Sequence, residues 1–264
     1  MTGLRNISEL TWPDEAFGRS VNLKIGMRAG ADITPFRFTE KSIRLLDSIL
    51  EASSEGRRDR AFSVIGPYGS GKSSFALLVT AILSKAVAPW ADESLKQLEV
   101  ISPQLHEQLK YELGANERGF FPIVLQGEKS AFDLVLCQGL LDAITSEEFD
   151  TGWVPKELTE SVHLTLQTLE TGINGPSDVI DLYKKASDHA KAASYRGLLV
   201  VADEFGKFLE RSAEQGDVPD LIAAQYLAEL ASSDPDAGIL FIVLLHQSFR
   251  DYASGLTQSQ RLEW

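Results

Sequence analysis

The apolar positions of the chain form short runs typical of buried strands and longer runs with a helical period. Four short runs predict strands, at residues 61–65, 120–126, 197–202 and 238–245. Residues 21–25 alternate apolar and polar side chains, which predicts a half-exposed edge strand. Helical periodicity predicts helices near residues 43–50, 74–86, 131–144, 155–169, 177–193 and 217–231, the first with Thr39 as its N-cap. Strands that alternate with helices predict an α/β fold with a doubly wound, mainly parallel sheet.

The spacing of these elements predicts an N-terminal flank and one large core. Residues 1–37 form the flank, which contains the predicted edge strand, and residues 38–264 form the core. Helical insertions are expected at about residues 89–118 and 145–196, because the interval of 131 residues from Lys72 to Asp203 is much longer than one strand and two helices need. The sequence contains no internal repeat and no low-complexity segment.

A glycine-rich motif directly follows the first predicted strand. It fits G-x-x-x-x-G-K-[ST] at every fixed position and reads Gly66-Pro67-Tyr68-Gly69-Ser70-Gly71-Lys72-Ser73. Glycines let successive backbone N–H groups point at phosphate oxygens, and the helix that follows adds the positive end of its dipole. Lys72 supplies a point charge for the terminal phosphates and Ser73 a hydroxyl for Mg²⁺. We therefore predict a phosphate-binding loop that extends to Ser74, although a chance glycine-rich turn is the alternative.

An acidic pair, Asp203-Glu204, ends the third predicted strand. This arrangement resembles a Walker B element, in which Asp203 would hold Mg²⁺ through a water, because Mg²⁺ keeps several waters and takes few protein carboxylates. The alternative is an acidic pair that is solvated at the end of a strand.

Composition limits the classes of protein that remain. The apolar content of 44% and the charged content of 24% are typical of a globular protein with a real core. The single cysteine, Cys137, excludes an internal disulfide and favours a cytoplasmic location, and no apolar run is long enough to span a bilayer. The net charge of −13 argues against a surface that wraps nucleic acid. The densest basic cluster, residues 57–60, is interpreted as a solvated loop.

The motifs that are absent from the sequence exclude several nucleotide-dependent classes. The letters of residues 203–206 differ from the kinase Asp-Phe-Gly motif by an extra glutamate, and no His-Arg-Asp loop precedes them. The sequence also lacks the Asn-Lys-x-Asp motif of GTPases and the Leu-Ser-Gly-Gly signature of ABC transporters.

The chain carries three features in order: the glycine motif, then Asp203-Glu204, then the polar end of the last predicted strand. This ordered set resembles AAA+ and related STAND-type signalling ATPases, especially the origin-recognition-like prokaryotic branch. The resemblance implies a P-loop NTPase fold that binds ATP and Mg²⁺, with Glu204 as the general base and Lys72 as a stabiliser of phosphate charge. It also implies that Gln247, or its neighbour His246, senses the γ-phosphate. Gln126 would hold Glu204 inactive until a partner binds, and residues 35–38 would lie near the adenine base or serve as a hydrophobic contact.

Residues 203–210 and 244–249 also look similar to large ATPases of bacterial phage-defence systems, which implies a role in antiviral defence. The chain departs from the AAA+ pattern after its last predicted strand, because no further strand, helical lid, sensor arginine or arginine finger can be assigned. We therefore expect an N-terminal fragment of a longer protein, or a chain in which residues 21–25 replace the missing strand.

Three functions remain open at this point. The leading expectation is ATP hydrolysis, slow or partner-dependent, coupled to conformational change in a larger antiviral or DNA-processing assembly. Partners would be other protein subunits, and DNA would be contacted through the whole assembly. The alternatives are a nucleotide-operated switch with little turnover and a small-molecule phosphotransferase.

Overall fold

The structure is a computed structural model that describes residues 23–27, 35–54, 56–85, 89–114, 118–169, 171–215 and 219–252. Its sheet contains four strands, β1 (Ala61–Ile65), β2 (Phe121–Gln126), β3 (Leu198–Asp203) and β4 (Ile239–Leu245). Every neighbouring pair is parallel, and the strand order is β1-β4-β3-β2. The four strands predicted from short apolar runs are confirmed, each to within one residue at either end.

Helices surround this sheet and fill the connections between its strands. The helices are α1 (Leu23–Gly26), α2 (Glu40–Ser53), α3 (Lys72–Leu83), α4 (Pro89–Ile101), α5 (Pro103–Gly114), α6 (Phe132–Ile144), α7 (Lys156–Leu169), α8 (Pro176–Ala192), α9 (Gly206–Gln215), α10 (Pro219–Ser233) and α11 (Phe249–Tyr252). A 3-10 helix, Pro235–Ala237, precedes β4. None of the helices in these described ranges is long and apolar enough to cross a membrane.

Two hydrophobic cores lie on opposite faces of the sheet. Leu198, Val200 and Ala202 of β3 pack into a core shared with α6, α7, α8 and α10. Leu199 and Val201 point the other way, into a core shared with α2, α3, α4 and α5. Successive side chains of a strand alternate between faces, so an apolar strand that is covered on both sides needs no polar positions. The fold is therefore a three-layer α/β arrangement with helices on both faces of a parallel sheet.

Cys137 lies in the first of these cores, as expected for an apolar helical position. It is fully buried in α6, and burial raises the pKa of its thiol to about 12. The thiol is therefore a packing group and not a reactive one.

The edge strand expected at residues 21–25 is wrong. Residues 23–26 form the short helix α1, which contacts α3 and β2, and Leu23 is fully buried in the second core. Leu23 and Gly26, three positions apart, are both buried, as positions on one face of a helix are. Residues 21 and 22 lie outside the described ranges. Among the described residues β1 pairs with β4 alone, and no strand lies on its other side.

All four strands end at one edge of the sheet, called here the carboxyl edge. Gln126, the last residue of β2, is in register with Asp203, the last residue of β3. Ile65 of β1 is in register with Leu245 of β4. Because parallel strands share their direction, the residues that follow them meet at this edge. The glycine-rich loop, the acidic pair and His246 therefore lie on the same side of the molecule.

Candidate functional site

The glycine-rich loop, residues 66–73, connects β1 to α3 and depends on its glycines. Gly69 and Gly71 adopt φ values of 72° and 84°, a left-handed conformation that side-chain-bearing residues rarely take. Gly71 is also the N-cap of α3, so the first-turn N–H groups of that helix lack intrahelical acceptors. The N–H of Gly66 donates to the carbonyl of Leu245 at 3.1 Å, which fixes the start of the loop to β4. These features are typical of an anion-binding loop.

Lys72 lies at the start of α3, and its ammonium turns back into the loop. The Nζ atom donates to the carbonyl oxygens of Gly66 at 2.6 Å and Pro67 at 2.9 Å, and it lies 3.4 Å from Nδ1 of His246. Burial lowers the pKa of Lys72, and the negative charge of Asp203 opposes this shift. Lys72 and Asp203 are therefore close enough for their charges to interact.

Ser73, at the start of α3, lies near Asp203, at the end of β3, and its hydroxyl lowers the pKa of that carboxyl group. Asp203 is only 4% exposed, and its Oδ1 accepts the N–H of Glu204 at 2.8 Å. Burial raises the pKa of Asp203, and the N–H of Glu204 and the hydroxyl of Ser73 only partly offset that effect. A desolvated carboxylate beside a hydroxyl matches the oxygen ligands that Mg²⁺ takes, and a cation there would compensate the buried charge.

Glu204 follows Asp203 in a left-handed backbone conformation, with φ of 51°. Its Oε2 accepts a hydrogen bond from Nε2 of Gln126 at 3.1 Å, and the same oxygen is bound by Nζ of Lys207. Burial opposes ionisation of Glu204, but the bonds and charge of Lys207 and the bond from Gln126 keep its pKa below the ordinary value. Lys207 is not among the site residues predicted from the sequence. The signal that the sequence offered is its position three residues after Glu204, a spacing at which opposite charges can pair.

His246 follows β4 and lies over the loop. Its ring stacks on that of Tyr68, with 3.5 Å between the ring centroids and an angle of 22° between the planes. Burial and the positive charge of Lys72 lower the pKa of His246. The structure thus brings His246 into contact with two residues of the loop, whereas the side chain of Gln247 is exposed. Tyr68 itself is 77% exposed.

An aromatic group borders the other side of the loop. A Cβ atom built on Gly71 would lie 3.9 Å from Cε2 of Phe36, and the ring of Phe36 packs against Phe38 and Phe75. The backbone N–H of Phe36 donates to the hydroxyl of Ser94 at 2.8 Å, which fixes this segment to α4. The hydrophobic contact expected for residues 35–38 is therefore present, and the placement of a base there stays a prediction.

The predicted residues differ in how closely they meet. Four of them lie together at the carboxyl edge, where their charges and hydroxyl affect one another: Lys72, Ser73, Asp203 and Glu204. Pro67, Tyr68, Gly69 and Ser70 form the exposed outer part of the loop, and Gly66, Gly71 and Ser74 are half-buried beneath it.

Comparison of the chain with protein-family models, with curated proteins and with solved structures finds no match. The case for a function therefore depends on the geometry of the site and on the motifs that form it.

Proposed function

We propose that the chain is an ATP-binding P-loop protein of the AAA+ or STAND type that hydrolyses ATP slowly or in response to a partner. The observation that carries this proposal is the meeting of distant segments at the carboxyl edge of the sheet. Nζ of Lys72, in the loop after β1, lies 3.4 Å from Nδ1 of His246, which follows β4, and β4 is also the neighbour of β3, which ends in the buried Asp203. This arrangement joins the glycine-rich loop to a buried acid, and a chance glycine turn gives no reason for it.

The residues of the chain have separate roles in this proposal. The N–H groups of the loop and the ammonium of Lys72 bind the β- and γ-phosphates, and Ser73 and Asp203 hold Mg²⁺. When bound, Mg²⁺ neutralises phosphate charge and aligns the terminal phosphate for in-line attack. Glu204 orients the attacking water and accepts its proton. The resemblance implies that either Gln247 or His246 senses the γ-phosphate. His246 takes this role in the proposal, because it contacts Lys72.

A nucleotide-operated switch is the second candidate, and one contact favours it. The stack of Tyr68 on His246 joins the outer part of the loop to the segment that leads into α11. A change in the loop on nucleotide binding would therefore reach the chain beyond β4, toward partner subunits of a larger, DNA-processing or antiviral assembly. In this version hydrolysis resets the switch and turnover is low.

The test compares ATP binding and hydrolysis in Lys72→Ala, Glu204→Gln and the control Lys110→Ala. Lys110 is an exposed helical lysine paired with Glu107, so its loss should change neither property. Loss of the Lys72 ammonium should weaken Mg·ATP binding by about 10- to 100-fold in calorimetry, as expected for charged hydrogen bonds to phosphate. Glu204→Gln should bind ATP normally and lose at least about 100-fold in single-turnover hydrolysis, as expected when a general base is removed.

The results separate the parts of the proposal. Normal ATP affinity in Lys72→Ala would refute the assignment of the loop. Unchanged hydrolysis in Glu204→Gln would place the general base at another residue. Binding of ATP by the wild-type chain without turnover, alone or with candidate partners, would favour the switch.

A further inference from the structure

The segment that follows β3 forms a tight turn whose residues are fixed by the surrounding fold. The N–H of Phe205 donates to the carbonyl of Leu244 at 3.0 Å, and its ring is only 2% exposed. A Cβ atom on Gly206 would lie 2.0 Å from the hydroxyl oxygen of Tyr252, so a larger residue there would require Tyr252 to move. The N–H of Lys207 donates to the carbonyl of Glu204 at 3.0 Å and closes the turn. The backbone therefore holds Lys207 beside Glu204.

Two donors reach the same oxygen of Glu204 from different elements. The ammonium of Lys207 belongs to the first turn of α9, and the amide of Gln126 belongs to the last position of β2. Both bind Oε2. The end of β2 is itself fixed, because the N–H of Gly127 donates to the carbonyl of Asp203 at 2.8 Å. The backbone that carries each donor is therefore fixed at the carboxyl edge of the sheet.

We propose that Lys207 is a positioning residue for Glu204, holding Oε2 together with Gln126 so that Oε1 is left to bind and deprotonate water. This inference rests on the proposed function, and it deepens that function by naming a residue that acts through the general base. It also gives Gln126 an orienting role in place of the inactivating role that the family resemblance implied. A glutamate side chain has three rotatable bonds, and a carboxylate that must receive a proton in one direction loses efficiency when those bonds rotate freely. Two donors on one oxygen remove most of that freedom.

The pair formed by Lys207 and Glu204 differs from other pairs of its kind in its place in the molecule. The chain contains similar i,i+3 pairs on other helices, such as Lys110 with Glu107, but that pair is exposed on α5. The two pairs have the same chemistry, and only the pair formed by Lys207 includes a residue of the proposed site.

The test uses Lys207→Met, which keeps the length of the side chain and removes its charge, with Lys207→Arg as the conservative variant. Lys110→Met is the matched control. Lys207→Met should bind Mg·ATP with wild-type affinity and lose about five- to tenfold in single-turnover hydrolysis, the size expected for one charge-assisted contact. Lys207→Arg should recover most of that rate, and Lys110→Met should not differ from the wild type.

A measurement without nucleotide examines the contact itself. In protein with ¹⁵N-labelled lysine, the ammonium signal of Lys207, assigned by its loss in Lys207→Met, should shift or broaden in Glu204→Gln. The ammonium signal of Lys110 should stay in place in the same variant. An unchanged Lys207 signal in Glu204→Gln would overturn the proposal.

The kinetic outcomes distinguish this inference from the proposed function. A wild-type or faster rate in Lys207→Met, with normal hydrolysis by the wild-type chain, overturns the positioning role and leaves the ATPase proposal standing. Failure of the wild-type chain to bind Mg·ATP overturns both. If the wild-type chain binds Mg·ATP but does not hydrolyse it, the assignment of the nucleotide site stands and the positioning role of Lys207 is overturned.

Discussion

His246 and Gln247 are neighbours in the chain, yet their side chains meet different surroundings. His246 lies 3.4 Å from the ammonium of Lys72 and stacks on Tyr68, whereas Gln247 is exposed. Both residues lie in the bend between β4 and α11, and the structure places only the side chain of His246 against the loop.

This difference gives a prediction at the residue scale. His246→Ala should lower Mg·ATP affinity or single-turnover rate by about tenfold, because a polar partner of Lys72 and a ring that covers the loop are lost together. Gln247→Ala should change either quantity by less than about twofold, as an exposed side chain away from special features does. Calorimetry and phosphate release measure both effects, and equal losses in the two variants would refute the distinction.

At the scale of the element, α2 shows how local sequence defines a helix boundary. Thr39 has extended backbone angles, its hydroxyl accepts the N–H of Ser42, and Ser42 returns a bond to the N–H of Thr39. This capping box satisfies two donors that the first turn would otherwise leave unpaired. The helix then buries Leu46, Ile49 and Leu50 on one face. The sequence therefore predicted this helix start correctly from residue type alone.

The capping box predicts a measurable stability effect. Thr39→Ala should lower the free energy of unfolding by about 1 kcal/mol, because the N-terminal N–H groups of α2 lose their side-chain acceptor. Urea denaturation measures the change. Ser48→Ala, at an exposed position within the same helix whose hydroxyl bonds back to the carbonyl of Arg44, is the control and should have little effect. A control loss as large as that of Thr39→Ala would contradict the role of the cap.

At the scale of the whole molecule, Arg196 joins elements that are distant in sequence. Its Nη2 donates to the carbonyl of Ser53 at the end of α2 at 2.7 Å, and its guanidinium also contacts Glu112 of α5. The guanidinium carbon lies 5.4 Å from the centre of the Phe120 ring, and the side chain is only 5% exposed. Arg196 directly precedes the Gly197-β3 segment, so it fixes the sheet to the helical layer at the end opposite the site.

Removal of this connection should destabilise the fold. Arg196→Met should lower the free energy of unfolding by about 2–4 kcal/mol, because the carbonyl of Ser53 and the acid of Glu112 lose a buried partner. Arg44→Met, which breaks an exposed pair with Glu40, should cost less than about 0.5 kcal/mol. Chemical denaturation of both variants compares the two arginines, and similar losses would show that the Arg196 contacts add little to stability.

The sequence was informative where the interactions are local. The four apolar runs predicted the four strands, and the glycine motif predicted a loop. In the structure that loop has left-handed glycines at positions 69 and 71. The five-residue alternation at positions 21–25 misled because the signal is short, and burial of Leu23 against α3 and β2 overrode it. The contact of Lys207 with Glu204 was not predicted, because the sequence around a lysine does not reveal a turn that places it beside a glutamate.

By itself, the sequence determined which residues have the chemistry for a phosphate site and which segments form strands and helices, because both depend on residue type and short-range period. The tertiary structure decided which of these residues meet. The parallel strand order brings Ser73 to Asp203, and the turn after β3 brings Lys207 to Glu204. Such contacts depend on how distant segments pack, and neither composition nor spacing along the chain records that packing.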